Sequence, residues 1–133
     1  KPHPRRFLSH LSPTISFIFQ RLFGTAAPSP VMSAAKTTAQ NLINDNGVVV
    51  FSKSYCPFCK ASKDLLNDLG AKYTTLELDE EQDGAAIQSA LQEISGQRTV
   101  PNIYINQKHI GGNSDLQNRK SELPALLAAA GAL

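Results

Sequence analysis

Val48-Val49-Val50-Phe51-Ser52-Lys53-Ser54-Tyr55-Cys56-Pro57-Phe58-Cys59 changes character twice. Val48 to Phe51 is an unbroken apolar run rich in β-branched side chains, the pattern of a strand buried on both faces. Ser52 to Tyr55 is a short polar loop. From Cys56 to Leu69 the apolar side chains Ala61, Leu65 and Leu69 fall on one helical stripe, and Gly70 ends it. Pro57 suits the first turn of that helix, where a missing N–H costs nothing. Cys56 therefore stands where a strand hands over to a helix N-terminus, beside unpaired N–H groups and a partial positive charge. That field and Lys53, three residues earlier, favour a thiolate over a thiol, and the thiolate is the nucleophile. Cys59 lies one turn further in, within reach of Cys56 but more shielded. The asymmetry gives Cys56 the attacking role and Cys59 the resolving one.

The rest of the composition narrows the chemistry. The chain has 133 residues and only these two cysteines. Two cysteines so close together cannot staple a secreted domain. A structural zinc site usually needs four Cys or His ligands, and the three histidines (His3, His10, His109) lie far from the pair. No metal site is expected, and an isolated C-x-x-C reads as redox chemistry in a reducing compartment. The net charge of +2 conceals two halves. Residues 1–44 carry five basic side chains and no acidic one, and the remainder carries eight basic and eleven acidic, a net of −3. The body has no basic stripe of the kind that binds nucleic acid. No apolar run reaches the roughly 18 residues of a membrane helix.

Working outward, Ala34 to Asn46 has helical spacing (Ala35, Ala39, Leu42, Ile43) and stops at Asn46-Gly47. Tyr73 to Leu78 reads as a second strand, and Asp83 to Ile94 as a helix with Ile87, Leu91 and Ile94 inward. Asn102 to Asn106 and Lys108 to Ile110 read as a hairpin around Gln107, closed by Gly111-Gly112. Asp115 to Arg119 and Glu122 to Ala130 complete the chain as helix, with Ser114 or Asp115 as the cap. The first two strands should be parallel with a right-handed crossover, and the last two antiparallel. The expected fold is α/β and thioredoxin-like: a four-stranded mixed sheet flanked by helices. Residues 1–33 read as a leader, Arg-rich, Ser-rich and free of acids like a mitochondrial transit peptide. A disordered or artefactual extension, and an internal start at Met32 giving a shorter cytosolic form, remain open. Residues 34–133 form the domain.

Three motifs occur together: Ser54-Tyr55-Cys56-Pro57-Phe58-Cys59, Thr99-Val100-Pro101, and Gly111-Gly112-Asn113-Ser114-Asp115. In order and spacing they resemble the dithiol glutaredoxins of eukaryotes, over about residues 36–131. The second cysteine separates the chain from monothiol relatives. Tyr55 before Cys56 and the absence of Trp separate it from thioredoxins, and Pro57 with Cys59 separates it from relatives that hold an iron–sulfur cluster. Phe58 stands where Tyr is commoner.

The resemblance implies a glutathione-dependent thiol-disulfide oxidoreductase acting in cell redox homeostasis. Its substrates are protein disulfides and protein–glutathione mixed disulfides. Glutathione is a cosubstrate, no cofactor is tightly bound, and glutathione reductase with NADPH stands behind the cycle without binding. By resemblance the Val100–Pro101 bond is cis, and the Val100 backbone faces Cys56 and pairs with glutathione. The Gly112-Asn113-Ser114-Asp115 turn receives its γ-glutamyl carboxylate, and Gln88 with Lys53 its glycine carboxylate. Tyr55, Phe58 and Thr99 line the groove. His109 reads as structural. A monomer without nucleic-acid or membrane partners is expected, cytoplasmic or mitochondrial or both.

Overall fold

The computed structural model describes residues 29–133. Residues 1–28, which carry most of the leader reading, lie outside the described residues. The elements run α1 (Pro30–Asp45), β1 (Val48–Ser52), α2 (Pro57–Asp68), β2 (Thr74–Glu77), α3 (Gly84–Ser95), β3 (Asn102–Ile105), β4 (Lys108–Gly111), α4 (Asn113–Asn118) and α5 (Leu123–Ala129).

The four strands form one sheet in the order β2-β1-β3-β4. β1 and β2 are parallel, with Val50 opposite Thr75, and α2 makes the crossover between them. β3 runs antiparallel to both β1 and β4. The β3–β4 turn is Asn106-Gln107, both at positive φ (52° and 68°). That pair of left-handed residues is the turn whose twist matches a two-residue hairpin.

Period-two alternation along β1 builds two cores from one strand. Val49 and Phe51 point to one face, where they meet Ala35, Ala39 and Ile43 of α1 and Ile87, Ala90 and Leu91 of α3. Val48 and Val50 point to the other, against Leu65 and Leu66 of α2, Leu116 of α4, and Leu123 and Leu127 of α5. All five β1 residues are buried, as the unbroken apolar run requires. Each of these large side chains contributes about 1.5–3 kcal/mol through burial.

Some boundaries and faces differ from expectation. α1 begins at Pro30, not Ala34, because the Ser29 hydroxyl accepts the Met32 N–H (3.2 Å) and Pro30 fits the first turn. α2 buries Cys59, Ser62, Leu65 and Leu66, while Ala61 and Leu69 are only half-buried. Ser62 can take a core position because its hydroxyl bonds the Asn113 carboxamide oxygen (2.9 Å). α4 begins at Asn113, and its cap is Gly112, not Ser114 or Asp115.

Candidate active site

The β1–α2 loop that carries the first cysteine is fixed from several sides. The Cys56 N–H donates to the Lys53 carbonyl and the Lys60 N–H to the Cys56 carbonyl, each at 3.1 Å. Beyond the end of β2, the Asp79 carboxylate accepts the Ser54 N–H (2.9 Å) and the Ser54 hydroxyl. The hydroxyl, then the N–H, and more weakly the Lys53 ammonium hold the Asp79 carboxyl below the usual carboxylate range.

Cys56 is the N-cap of α2. Its Sγ accepts the Cys59 N–H at 3.2 Å, with Pro57 in the first turn. A negative sulfur at this point gains from the orphan N–H groups and the helix field. Both cysteines are free thiols; Cys56 is half-buried and Cys59 has no exposed surface. Burial, and next to it the Cys56 sulfur, push the Cys59 thiol up from its ordinary range, partly offset by the Lys53 backbone and the Ser52 hydroxyl. One sulfur is accessible at a helix terminus, and the other is held inside as a protonated thiol.

A groove of about 200 Å³ is lined by Phe58, by Thr99, Val100 and Pro101, and by Gly112, Asn113, Ser114 and Asp115. The Val100–Pro101 peptide is cis. Among the described residues no hydrogen bond takes up the Val100 N–H or carbonyl, which leaves that edge available to an extended peptide. On the opposite wall the Asp115 carboxylate accepts the Gly112 N–H (2.9 Å). Gly111 makes this turn possible: its φ is +120°, and a Cβ there would run into the Asp115 carboxylate. A second depression of about 240 Å³, between Asp45–Val48, Lys72–Thr74 and Gly131–Ala132, contains neither cysteine.

The groove thus brings together seven expected positions: Phe58, Thr99, Val100, Pro101, Gly112, Ser114 and Asp115. Asn113 joins them. Tyr55 stands outside the lining, 71% exposed, and Phe58 at its edge is 65% exposed. Lys53 is half-buried beside Asp79 and does not line the groove. Gln88 is also outside it, its amide donating to the Arg98 carbonyl at 2.8 Å.

Residue-by-residue reading missed a polar cluster behind the groove, formed by Gln97, Asn102 and His109. One signal was legible. Asn102 opens an otherwise apolar strand and is 1% exposed, and a buried amide must find partners.

A glutaredoxin family model matches residues 48–110. A glutaredoxin of Ricinus communis is 52% identical over 101 residues, covering 74% of this chain and 99% of the relative. Glutaredoxin-C2 of Arabidopsis thaliana is 50% identical over 101 residues, covering 74% and 91%. The chain belongs to the glutaredoxin family.

This glutaredoxin also superposes on the crystal structure of a buckwheat glutaredoxin–glutathione complex. The TM-score is 0.76 and the identity 44%, over 80% of this chain and 99% of that one. Its thioredoxin-like sheet, its C-x-x-C pair and its family make it a glutathione-dependent thiol oxidoreductase.

Proposed function

We propose that this glutaredoxin reduces protein–glutathione mixed disulfides and protein disulfides, with Cys56 as nucleophile and Cys59 as resolving thiol. The observation that carries the assignment is the contrast between Cys56, half-buried at the start of α2 with its sulfur accepting the Cys59 N–H, and the fully buried Cys59. With a glutathionylated protein, the Cys56 thiolate attacks the glutathione sulfur. The protein leaves as a thiolate that takes up a proton, and glutathione remains on Cys56 as a mixed disulfide. A second glutathione thiolate attacks that glutathione sulfur, releasing glutathione disulfide and restoring the Cys56 thiolate. With a protein disulfide, Cys56 forms the mixed disulfide, and Cys59 loses its proton and displaces the second substrate sulfur. Two glutathiones then reduce the Cys56–Cys59 disulfide.

The groove supplies the preference for glutathione. Its cysteinyl segment would lie along Val100 as an added strand. Its γ-glutamyl end would occupy the Gly112–Asp115 turn, with Thr99 and Phe58 at the sides. Lys53 and Gln88 flank the glycine carboxylate, and Tyr55 meets the protein substrate. For Gln88 this means exchanging or sharing its bond to the Arg98 carbonyl. The domain acts as a monomer. Glutathione reductase and NADPH regenerate glutathione in solution. The acid-free front of the chain, residues 1–33, favours a mitochondrial address, with a cytoplasmic form starting at Met32.

The test offers a glutathionylated peptide to the full chain with one of two electron sources. Glutathione with its reductase and NADPH should sustain turnover, and thioredoxin reductase with NADPH should not. Turnover with thioredoxin reductase alone would overturn the assignment. So would the lack of any glutathione-dependent rate.

A further inference from the structure

Behind the Thr99-Val100-Pro101 wall, Gln97 spends its whole carboxamide on holding the loop. Its Nε2 donates to the Thr99 carbonyl (3.1 Å) and to the Pro101 carbonyl (2.9 Å), the two that flank Val100. An amide has two N–H donors, so both are used. Its Oε1 faces His109 Nε2 at 3.1 Å, and the same nitrogen lies 2.9 Å from Asn102 Oδ1. The Asn102 amide in turn donates to the Gln97 backbone carbonyl (3.2 Å).

Only one hydrogen arrangement satisfies all five contacts. A flipped Gln97 would aim its oxygen at two carbonyls, and a flipped Asn102 would do the same at a third. With both amides fixed, His109 Nε2 meets two oxygens and must carry the proton. His109 comes from β4, where it pairs with Tyr104 and its ring lies 5.1 Å from the Tyr104 ring. Its side chain therefore rests on the β3–β4 hairpin. Gln97 also lies near the other wall without bonding to it: a Cβ added at Gly112 would come 4.0 Å from Gln97 Nε2 and 3.7 Å from the Pro101 carbonyl oxygen.

We propose that Gln97, oriented by His109 and Asn102, is a positioning residue for glutathione. It draws the Thr99 and Pro101 carbonyls back from the groove and so presents the Val100 N–H and carbonyl to the glutathione cysteinyl segment in a fixed direction. Gln97 does not touch the reacting sulfurs. Its effect belongs to binding and orientation of glutathione, and His109 acts only through it. The inference rests on the reading of the groove as the glutathione site.

The experiment measures KM for glutathione and kcat with a glutathionylated peptide for Gln97→Ala, His109→Phe and the double variant. Alkylation of Cys56 by iodoacetamide reports the thiol itself. The loss of one to two net hydrogen bonds predicts a KM raised about 3- to 10-fold in Gln97→Ala, with kcat changed less than about twofold and the alkylation rate unchanged. His109→Phe should raise KM less. The double variant should match Gln97→Ala alone, because the His109 contribution passes through Gln97. Unchanged KM in Gln97→Ala, multiplicative effects in the double variant, or equal loss of kcat and alkylation would each overturn the proposal. If Gln97→Ala does not fold, His109→Phe, which keeps a ring on the exposed hairpin, decides by the same split between KM and kcat. A wild-type chain without saturable glutathione turnover would instead sink the groove reading and leave the hydrogen-bond cluster a purely structural feature.

Discussion

The Cys59 backbone N–H donates to Cys56 Sγ across 3.2 Å, while the Cys59 side chain is fully buried behind it. The second cysteine therefore serves the first in two separable ways. Its amide donates a hydrogen bond to Sγ, and its thiol waits as the internal nucleophile.

That separation predicts unequal effects of removing either sulfur. Cys59→Ser keeps the backbone N–H and so keeps its hydrogen bond to Cys56 Sγ, and deglutathionylation should stay within about threefold of wild type, the residual change reflecting the loss of one weak thiol contact. Reduction of a protein disulfide by Cys59→Ser should stall at the mixed disulfide, and Cys56→Ser should have no turnover with either substrate. Steady-state rates on the two substrate types check this. Loss of deglutathionylation in Cys59→Ser would remove the one-cysteine route.

A different pair of residues governs acid behaviour. The Asp79 carboxyl, held low by the Ser54 hydroxyl and N–H, is charged in the folded chain at pH values where the unfolded chain has taken up its proton. This stability is present above the ordinary carboxylate range, near pH 4, and is lost as pH falls through the folded value. Asp79→Asn should flatten the decline of the denaturation midpoint between about pH 5 and pH 3. An identical slope in the variant would show that the Ser54–Asp79 tether carries no linkage.

His109 should act at higher pH with the same sign. Partial burial lowers its imidazole from the ordinary value, and the Asp115 carboxylate offsets part of that. The unfolded chain binds a proton first as pH falls through about 6.5, so stability is lost from there down to the folded value. His109→Phe should remove that segment of the pH–stability curve. Urea midpoints at pH 7.5 and 5.5 compare the two proteins, and an unchanged difference between them would contradict the assignment.

Gly111→Ala tests the turn under the groove. At φ +120° with the Asp115 carboxylate in the way, a methyl group strains the backbone by roughly 1–3 kcal/mol and displaces the bond from Gly112 to Asp115. We expect a lower denaturation midpoint together with a raised KM for glutathione. A midpoint lowered without any change in KM would detach this turn from binding.

How much of this was written locally in the chain differs by feature. Val48 to Phe51 specified a central strand because four apolar residues in a row must be buried on both sides. Cys56-Pro57 placed a reactive sulfur at a helix start for reasons internal to that turn. The Asn106-Gln107 hairpin followed from the two strands it joins. The inward face of α2 was less legible, since Ser62 enters the core only through Asn113, 51 residues away. Gly112 took the cap from Ser114 because Asp115 reaches back to its N–H. Asp79 with Ser54, and Gln97 with His109, are pairs 25 and 12 residues apart. Side-chain bonds across such separations leave no period in the sequence.

The central claim is that Cys56 does the chemistry while a groove built from distant loops selects glutathione. Amide chemical shifts of the Cys59→Ser variant, compared with and without glutathione linked to Cys56, test it most directly. We predict that the Val100 amide and the amides of Gly112 to Asp115 shift together and that the Val100 amide becomes protected from hydrogen exchange. Shifts confined to the turn around Cys56, with Val100 and Ser114 unmoved, would contradict the account.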